Sequence, residues 1–165
     1  MPTNPQPQQP LSTKEFLRDW FDRLAATGFD GNVFLDAFSD DLVWTATGHS
    51  PVSGTFHSKA EYIEKVYRPL DDHLQTWPRA EVLRILADGE WAIVEFNGVG
   101  GVGKNGTDYS LRYCWVIRVQ ETQRSGARPS DQETQRSGAR LGGQHALITE
   151  VVGYYDQTKV ADLFG

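Results

Sequence analysis

The first part of the chain carries apolar residues at helical spacing. Ser12 and Glu15 form a capping-box sequence, in which each side chain can bond the other residue's backbone N–H. Phe16, Trp20 and Leu24 then recur along one helical face. We therefore predict an amphipathic helix that begins near residue 12 and ends at the next glycine.

Two further helices are predicted before the strands begin. Asp30 can cap a short helix, and Ser58 and Glu61 repeat the capping-box pattern ahead of an apolar run that starts at Tyr62. Pro69 lacks a backbone N–H, so it is expected to interrupt this helix.

Strand patterns dominate the rest of the chain. Alternating and apolar runs predict strands near 42–47, 79–88, 91–99, 108–119 and 146–156. Asp88-Gly89 and Asn105-Gly106 are tight hairpin sequences. Asp156 can cap a final helix. Helices followed by a run of strands predict a single α+β domain, with about three helices on one face of a curved antiparallel sheet.

The two central strands are apolar on both faces. If the Asn-Gly turn pairs them, Phe96 shares a face with Tyr113 and Trp115. The opposite face then carries Glu95 among Arg112, Arg118 and a set of apolar residues: Trp91, Ile93, Cys114 and Val116. We expect this second face to form a homodimer contact. Glu95 is expected to be a structural ion-pair partner, with a catalytic carboxylate as the alternative.

Composition and charge exclude several classes of protein. A net charge of −6 argues against nucleic acid as a partner, since phosphate binding needs a basic face. No apolar run is long enough to span a membrane. The single cysteine, Cys114, fits a reducing compartment, and no secretory signal is visible, so a cytoplasmic location is predicted. Residues 1–11 are rich in Pro and Gln and are predicted to be a disordered tail.

Several sequence features are better explained as loops than as sites. The segment QETQRSGAR occurs at 120–128 and again at 132–140, and we interpret it as a duplication within a polar loop insertion at about 120–145. The glycine-rich run 98–103 has the letters of a phosphate loop, but a strand pattern follows it where a helix would be needed. The four histidines show no metal-ligand spacing, so neither a metal nor a cofactor is predicted.

The order of these segments resembles a known superfamily. The resemblance rests on four segments: Gly28-Phe29-Asp30-Gly31, Asp40-Asp41, the run from Trp44 through the turn at Gly48, Pro51 and Gly54, and the terminal Tyr154-Tyr155-Asp156. From about residue 12 to 164, outside the loop insertion, the chain resembles the SnoaL-like polyketide cyclases and the ketosteroid isomerases. The resemblance implies a cone-shaped fold with a ligand pocket at its open end.

The catalytic residues of those relatives have no counterparts here. The isomerase's helix-1 tyrosine corresponds to Trp20, and its general-base aspartate to Thr45 or Ala46. Its oxyanion-hole aspartic acid falls near Trp115. The Asp-Arg-Asp set of the related limonene-epoxide hydrolases is missing as well. An aromatic cone without these polar groups suits a flat hydrophobic ligand.

Face parity on the two paired strands and the i, i+4 spacing on the first helix together predict the residues of the pocket. Its expected walls are Phe16, Trp20, Trp44, Tyr67, Trp77, Phe96, Tyr113, Trp115 and Tyr155. Tyr113 and Tyr155 are candidate hydrogen-bond donors to a developing oxyanion, with core packing as the alternative. Asp156 is either a site carboxylate or a helix cap, and His49 either a site residue or an exposed loop residue.

Two functions remain open from the sequence. The first is a SnoaL-like enzyme that acts on a small hydrophobic molecule by acid–base isomerisation, cyclisation, dehydration or hydrolysis. The second is a non-catalytic small-molecule-binding or accessory protein on the same scaffold. A titratable side chain with a shifted pKa inside the pocket would favour the enzyme.

Overall fold

The computed structural model describes residues 11–123 and 144–165. The predicted N-terminal tail, apart from Leu11, and most of the duplicated loop lie outside these residues. Within the described ranges, no helix is long and apolar enough to cross a membrane. The same ranges contain no group of three potential metal-ligating side chains.

The first two helices begin at the side chains that the sequence indicated. Helix α1 spans Thr13–Thr27, and Ser12 and Glu15 complete the reciprocal capping box. Gly28, with φ of 64°, ends the helix in the left-handed conformation that glycine adopts at least cost. Helix α2 spans Gly31–Asp36 and is capped by Asp30.

The third helical segment runs through Pro69 without breaking. It consists of α3 (Lys59–Tyr62), a π-helical turn (Ile63–Tyr67) and α4 (Arg68–His73). Arg68 N–H bonds to the carbonyl of Ile63, five residues back. The predicted interruption at Pro69 is therefore a widened turn, which shifts the hydrogen-bond pattern just before the residue that cannot donate.

Six strands form the main sheet in the order β2-β1-β8-β7-β5-β4. They are β1 (Phe38–Ala46), β2 (Gly54–Phe56), β4 (Arg79–Asp88), β5 (Trp91–Val99), β7 (Arg112–Gln123) and β8 (Gln144–Tyr154). A separate two-stranded sheet pairs β3 (Leu74–Thr76) with β6 (Val102–Gly103). Helix α5 (Gln157–Phe164) follows β8 and is capped by Asp156.

The sheet is mixed rather than antiparallel, because β1 and β8 pair in parallel. The predicted α+β class is confirmed, and the sheet departs from the predicted antiparallel arrangement at this pair. The two strands lie almost at opposite ends of the chain, so no hairpin turn dictates their relative direction. Register irregularities at Val82/Arg84 and Arg118/Val119 interrupt the ladders, and such bulges bend strands.

The glycine-rich run belongs to strands and turns. Residues 98 and 99 end β5, and Asn105-Gly106 forms a turn after the short strand β6. No helix begins there, so the phosphate-loop geometry is absent from these described residues. The Asn-Gly turn does not join β5 directly to β7, although these two strands pair as predicted.

The two faces of the sheet have different environments. Phe96, Tyr113 and Trp115 are buried in the core. On the outer face, Trp91 is 39% exposed and Ile93 is 42% exposed. Glu95 pairs there with Arg112 and with Arg84, and hydrogen bonding to Arg112 is the main cause that lowers the pKa of Glu95.

The ion pairs of the outer face correct one sequence expectation. Arg118 does not share Glu95 but bonds Glu90, at 2.9 Å between Nη2 and Oε2. The position of β4 next to β5 explains the change, since it brings Arg84 opposite Glu95. Glu95 therefore has the structural role predicted for it, with one different partner.

Candidate functional site

A cavity of about 80 Å³ lies between the helices and the inner face of the sheet. From the helical side it is lined by Phe21, Leu24, Phe29, Phe34, Tyr62, Val66 and Leu70. Phe21 and Leu24 belong to the amphipathic stripe of α1, and Val66 belongs to the π-helical turn. The other residues come from α2, α3, α4 and the link between α1 and α2.

The sheet and its loops complete the wall. They contribute Trp44, Trp77, Pro78, Ala80, Phe96, Gly98, Tyr109, Tyr113, Trp115 and Tyr155. Phe96, Tyr113 and Trp115 face the same way because they lie at paired or alternate positions of β5 and β7. No lining residue is Asp, Glu, Lys, Arg or His.

The structure brings together six of the residues proposed from the sequence. Trp44, Trp77, Phe96, Tyr113, Trp115 and Tyr155 all line the cavity. Tyr67 lies just behind the wall and stacks on Trp77, with 5.3 Å between the ring centroids.

The two α1 residues of the predicted wall lie elsewhere. Trp20 is fully buried in the core, stacks on Phe34 and donates its indole N–H to the carbonyl of Val33. Phe16 is partly buried against the same core. The apolar stripe of α1 is wider than the cavity, and Phe21 and Leu24 are the residues that reach it.

The two polar candidates lie outside the cavity wall. Asp156 is exposed and accepts a hydrogen bond from the N–H of Thr158 at 2.9 Å, so it is the cap of α5. His49 is exposed in the turn after β1. Asp156 therefore occupies the position of a helix cap, and His49 that of an exposed loop residue.

Sequence reasoning missed Tyr62 and Tyr109, which add two hydroxyl groups to the wall. The four-residue spacing of Tyr62 and Val66 places both on one helical face, and this could have identified Tyr62. Tyr109 lies in an irregular segment before β7, where no periodicity shows which way a side chain points.

Two glycines allow the tyrosines to pack this closely. A Cβ on Gly98 would lie 2.9 Å from the ring of Tyr113. A Cβ on Gly153 would lie 2.8 Å from the ring of Tyr155 and 3.3 Å from Nε1 of Trp115. A side chain at either position would therefore force a neighbouring ring of the wall to shift.

The four wall tyrosines are neutral at physiological pH. Burial is the main cause that raises the pKa of Tyr62, Tyr109 and Tyr113, and it raises the pKa of Tyr155 to about 12. Each hydroxyl can therefore donate a hydrogen bond, but none is suited to act as a general base near pH 7.

Two indole groups of the wall have no hydrogen-bond acceptor among the described residues. They are Nε1 of Trp44 and Nε1 of Trp115. Their rings meet edge to face, with 5.3 Å between centroids. The wall therefore contains more N–H and O–H donors than the described side chains around it satisfy.

Comparison with known proteins agrees with this architecture. Residues 6–124 match the SnoaL-like domain family. No curated protein matches the chain. An NTF2-like protein from Burkholderia thailandensis superposes with a TM-score of 0.65 at 16% identity, over 94% of this chain and 99% of that one.

Two other solved structures were determined with small molecules. A protein of ketosteroid isomerase-like fold from Catenulispora acidiphila, in complex with trimethylamine, has a TM-score of 0.56 at 16% identity over 88% of both chains. TerC co-crystallised with polyporic acid has a TM-score of 0.58 at 14% identity, over 92% of this chain and 96% of its own. These likenesses show the fold, and the match over residues 6–124 shows that the chain belongs to the SnoaL-like domain family.

Proposed function

We propose that this protein binds a small, uncharged, hydrophobic molecule in its aromatic cavity. The observation that carries the proposal is the composition of the wall, where eleven of the lining residues are aromatic and none is charged. Apolar surfaces gain free energy when they leave water, whereas an unpaired charge in such a site would lose its hydration.

The size of the cavity limits what it holds in the present conformation. Its volume of about 80 Å³ is roughly half of the 150 Å³ engineered cavity that accommodates benzene. A ligand with one or more rings therefore needs side chains of the rim to move. Phe29 and Trp77 are half-buried and stack with centroids 4.5 Å apart, which makes them the side chains to be displaced.

Catalysis is the second candidate function, and the tyrosine hydroxyls are the observation that favours it. Tyr113 and Tyr155 could stabilise negative charge on a substrate oxygen during isomerisation, cyclisation, dehydration or hydrolysis. The wall offers no carboxylate or imidazole as a base. Catalysis would require a base that the wall does not contain, whereas binding requires no such group. We therefore place binding without catalysis first.

Tryptophan fluorescence provides the test of binding. Small aromatic and polycyclic molecules are expected to change the emission of the protein with saturation, because Trp44, Trp77 and Trp115 line the cavity. Trp115→Phe should reduce this change and weaken binding, since it alters the wall. Trp91→Phe, on the outer face of the sheet, is the matched control and should leave both unaltered. A compound library that produces no saturable change, confirmed by calorimetry, would exclude the proposal.

We also propose that the protein is a homodimer through the outer face of the sheet. Leu86, Trp91, Ile93 and Tyr154 expose between 39% and 60% of their surface there, and Cys114 and Val116 lie between them on β7. Apolar patches of this kind mark interfaces in soluble proteins. Cys114 would then be covered, and its presence as the single cysteine supports a proposed cytoplasmic location.

Light scattering is expected to give twice the 18.5 kDa mass of one chain. Ile93→Glu should convert the dimer to the monomer, because it places a charge in the contact. Val102→Glu is the matched control, since Val102 is 37% exposed but belongs to the smaller sheet. A wild-type mass of one chain at micromolar concentration would contradict the dimer.

A further inference from the structure

We propose that the four wall tyrosines form one polar cluster that holds the hydroxyl group of an aromatic alcohol in its neutral form. This tyrosine cluster consists of Tyr62, Tyr109, Tyr113 and Tyr155. The inference rests on the proposed binding function and specifies the chemistry of the ligand.

The four tyrosine side chains lie near one another. All four residues line one cavity of about 80 Å³, so their side chains meet around a small space. The rings of Tyr113 and Tyr155 have centroids 5.1 Å apart. The cluster is therefore a single patch in an otherwise apolar wall.

The cluster determines where a polar group of the ligand can lie. Apart from the indole N–H groups, the tyrosine hydroxyls are the polar side-chain atoms of the lining residues. A hydroxyl oxygen both donates and accepts hydrogen bonds, so it matches a set of hydroxyls better than a group that does only one of these. The unpartnered N–H groups of Trp44 and Trp115 add to the donors of the wall, which favours a ligand that brings an oxygen.

The charges around the wall favour the neutral form of that oxygen. Behind the wall, burial is the main cause that raises the pKa of Tyr67, and the charges of Asp71 and Asp30 raise it further. Asp71 also accepts the indole N–H of Trp77 at 2.7 Å. The ammonium group of Lys159 on α5 donates to the carbonyl of Ser110 at 3.1 Å. An anionic oxygen in the tyrosine cluster would thus find no cationic partner among the residues that line the cavity.

A pair of ligands of nearly equal shape tests the hydroxyl contact. The affinities of 4-methylphenol and 1,4-dimethylbenzene are measured by calorimetry on the wild type and on Tyr113→Phe. We expect the variant to weaken 4-methylphenol roughly two- to tenfold, the equivalent of one hydrogen bond, and to leave 1,4-dimethylbenzene unchanged. Tyr67→Phe, whose hydroxyl lies behind the wall, is the matched control and should change neither affinity.

The outcomes separate the two proposals. If 1,4-dimethylbenzene binds and Tyr113→Phe changes both affinities equally, the tyrosine cluster does not hold the hydroxyl, although the cavity still binds apolar molecules. If neither compound binds, the proposed function fails with it. Circular dichroism of the variants confirms that they are folded.

The preference for the neutral form is tested with 4-nitrophenol, because its anion has a distinct visible absorbance. We expect the bound dye to show the spectrum of the neutral phenol. Its affinity should fall about tenfold per pH unit above the dye's own pKa, since only the neutral fraction is competent to bind. A bound spectrum of the anion, or an affinity that does not fall, would overturn the inference.

Discussion

Trp20→Ala is expected to lower the free energy of unfolding by about 3–5 kcal/mol, the usual range for removing a large aromatic side chain from a core. Trp20 is fully buried and packs against Phe21, Phe34 and Phe38, with centroid distances between 5.0 and 5.8 Å. The substitution also leaves the carbonyl of Val33 without its donor. Urea denaturation followed by circular dichroism measures the change.

Trp20→Phe separates the packing of Trp20 from any role in the cavity. It keeps a ring in the core and should lose less stability than alanine, while ligand binding stays at the wild-type level because Trp20 does not line the cavity. If folded Trp20→Phe protein lost ligand binding, Trp20 would belong to the pocket wall, as the sequence predicted.

The free energy of unfolding is expected to decrease steeply as the pH rises from 10 towards 12. Burial raises the pKa of the wall tyrosines above the value near 10 of the unfolded chain. Above pH 10 the folded state then retains protons that the unfolded state releases. The contribution of these tyrosines to the free energy of unfolding is therefore complete below pH 10, and it is lost as the pH rises from 10 through the folded-state pKa. For Tyr155, whose pKa is about 12, the loss is about 2 kcal/mol at pH 11.5.

Tyr62, Tyr109 and Tyr113, whose pKa values are also raised mainly by burial, add to this loss, and the total stability of a typical domain is only roughly 5–15 kcal/mol. We therefore expect phenolate absorbance of the cluster to appear together with unfolding. Tyr155→Phe is the control, and it should reduce the slope of unfolding free energy against pH by at most about 1.4 kcal/mol per unit in this range. Phenolate absorbance from the whole cluster in a protein that remains folded would contradict the prediction.

Local patterns in the sequence correctly predicted several elements. The bounds 79–88 and 91–99 agree with β4 and β5, and a two-residue turn of Gly89 and Glu90 joins them directly after Asp88. The capping box at Ser12 begins α1 as expected. These features depend on residues close in the chain, whose hydrogen bonds and side-chain alternation act over a few positions.

The sequence could not show which apolar residues reach the cavity. Trp20 and Phe21 both belong to the apolar stripe of α1, yet only Phe21 touches the cavity, because α2 and β1 cover Trp20 with Phe34 and Phe38. Tyr109 was missed for a related reason, since its position depends on how an irregular segment folds onto the sheet. Likewise, the parallel pairing of β8 with β1 depends on the path of the chain between these two strands, which are far apart in the sequence.

The sequence by itself therefore determined the α+β class, the main strands and the aromatic character of the inner face, because short-range periodicity and capping specify them. The tertiary structure alone decided the mixed sheet and the meeting of four tyrosines at one cavity. Those tyrosines come from α3, from the segment before β7, from β7 itself and from the residue that follows β8. Only long-range packing brings such distant segments together, and that packing is set by the shape of the whole core rather than by any local pattern.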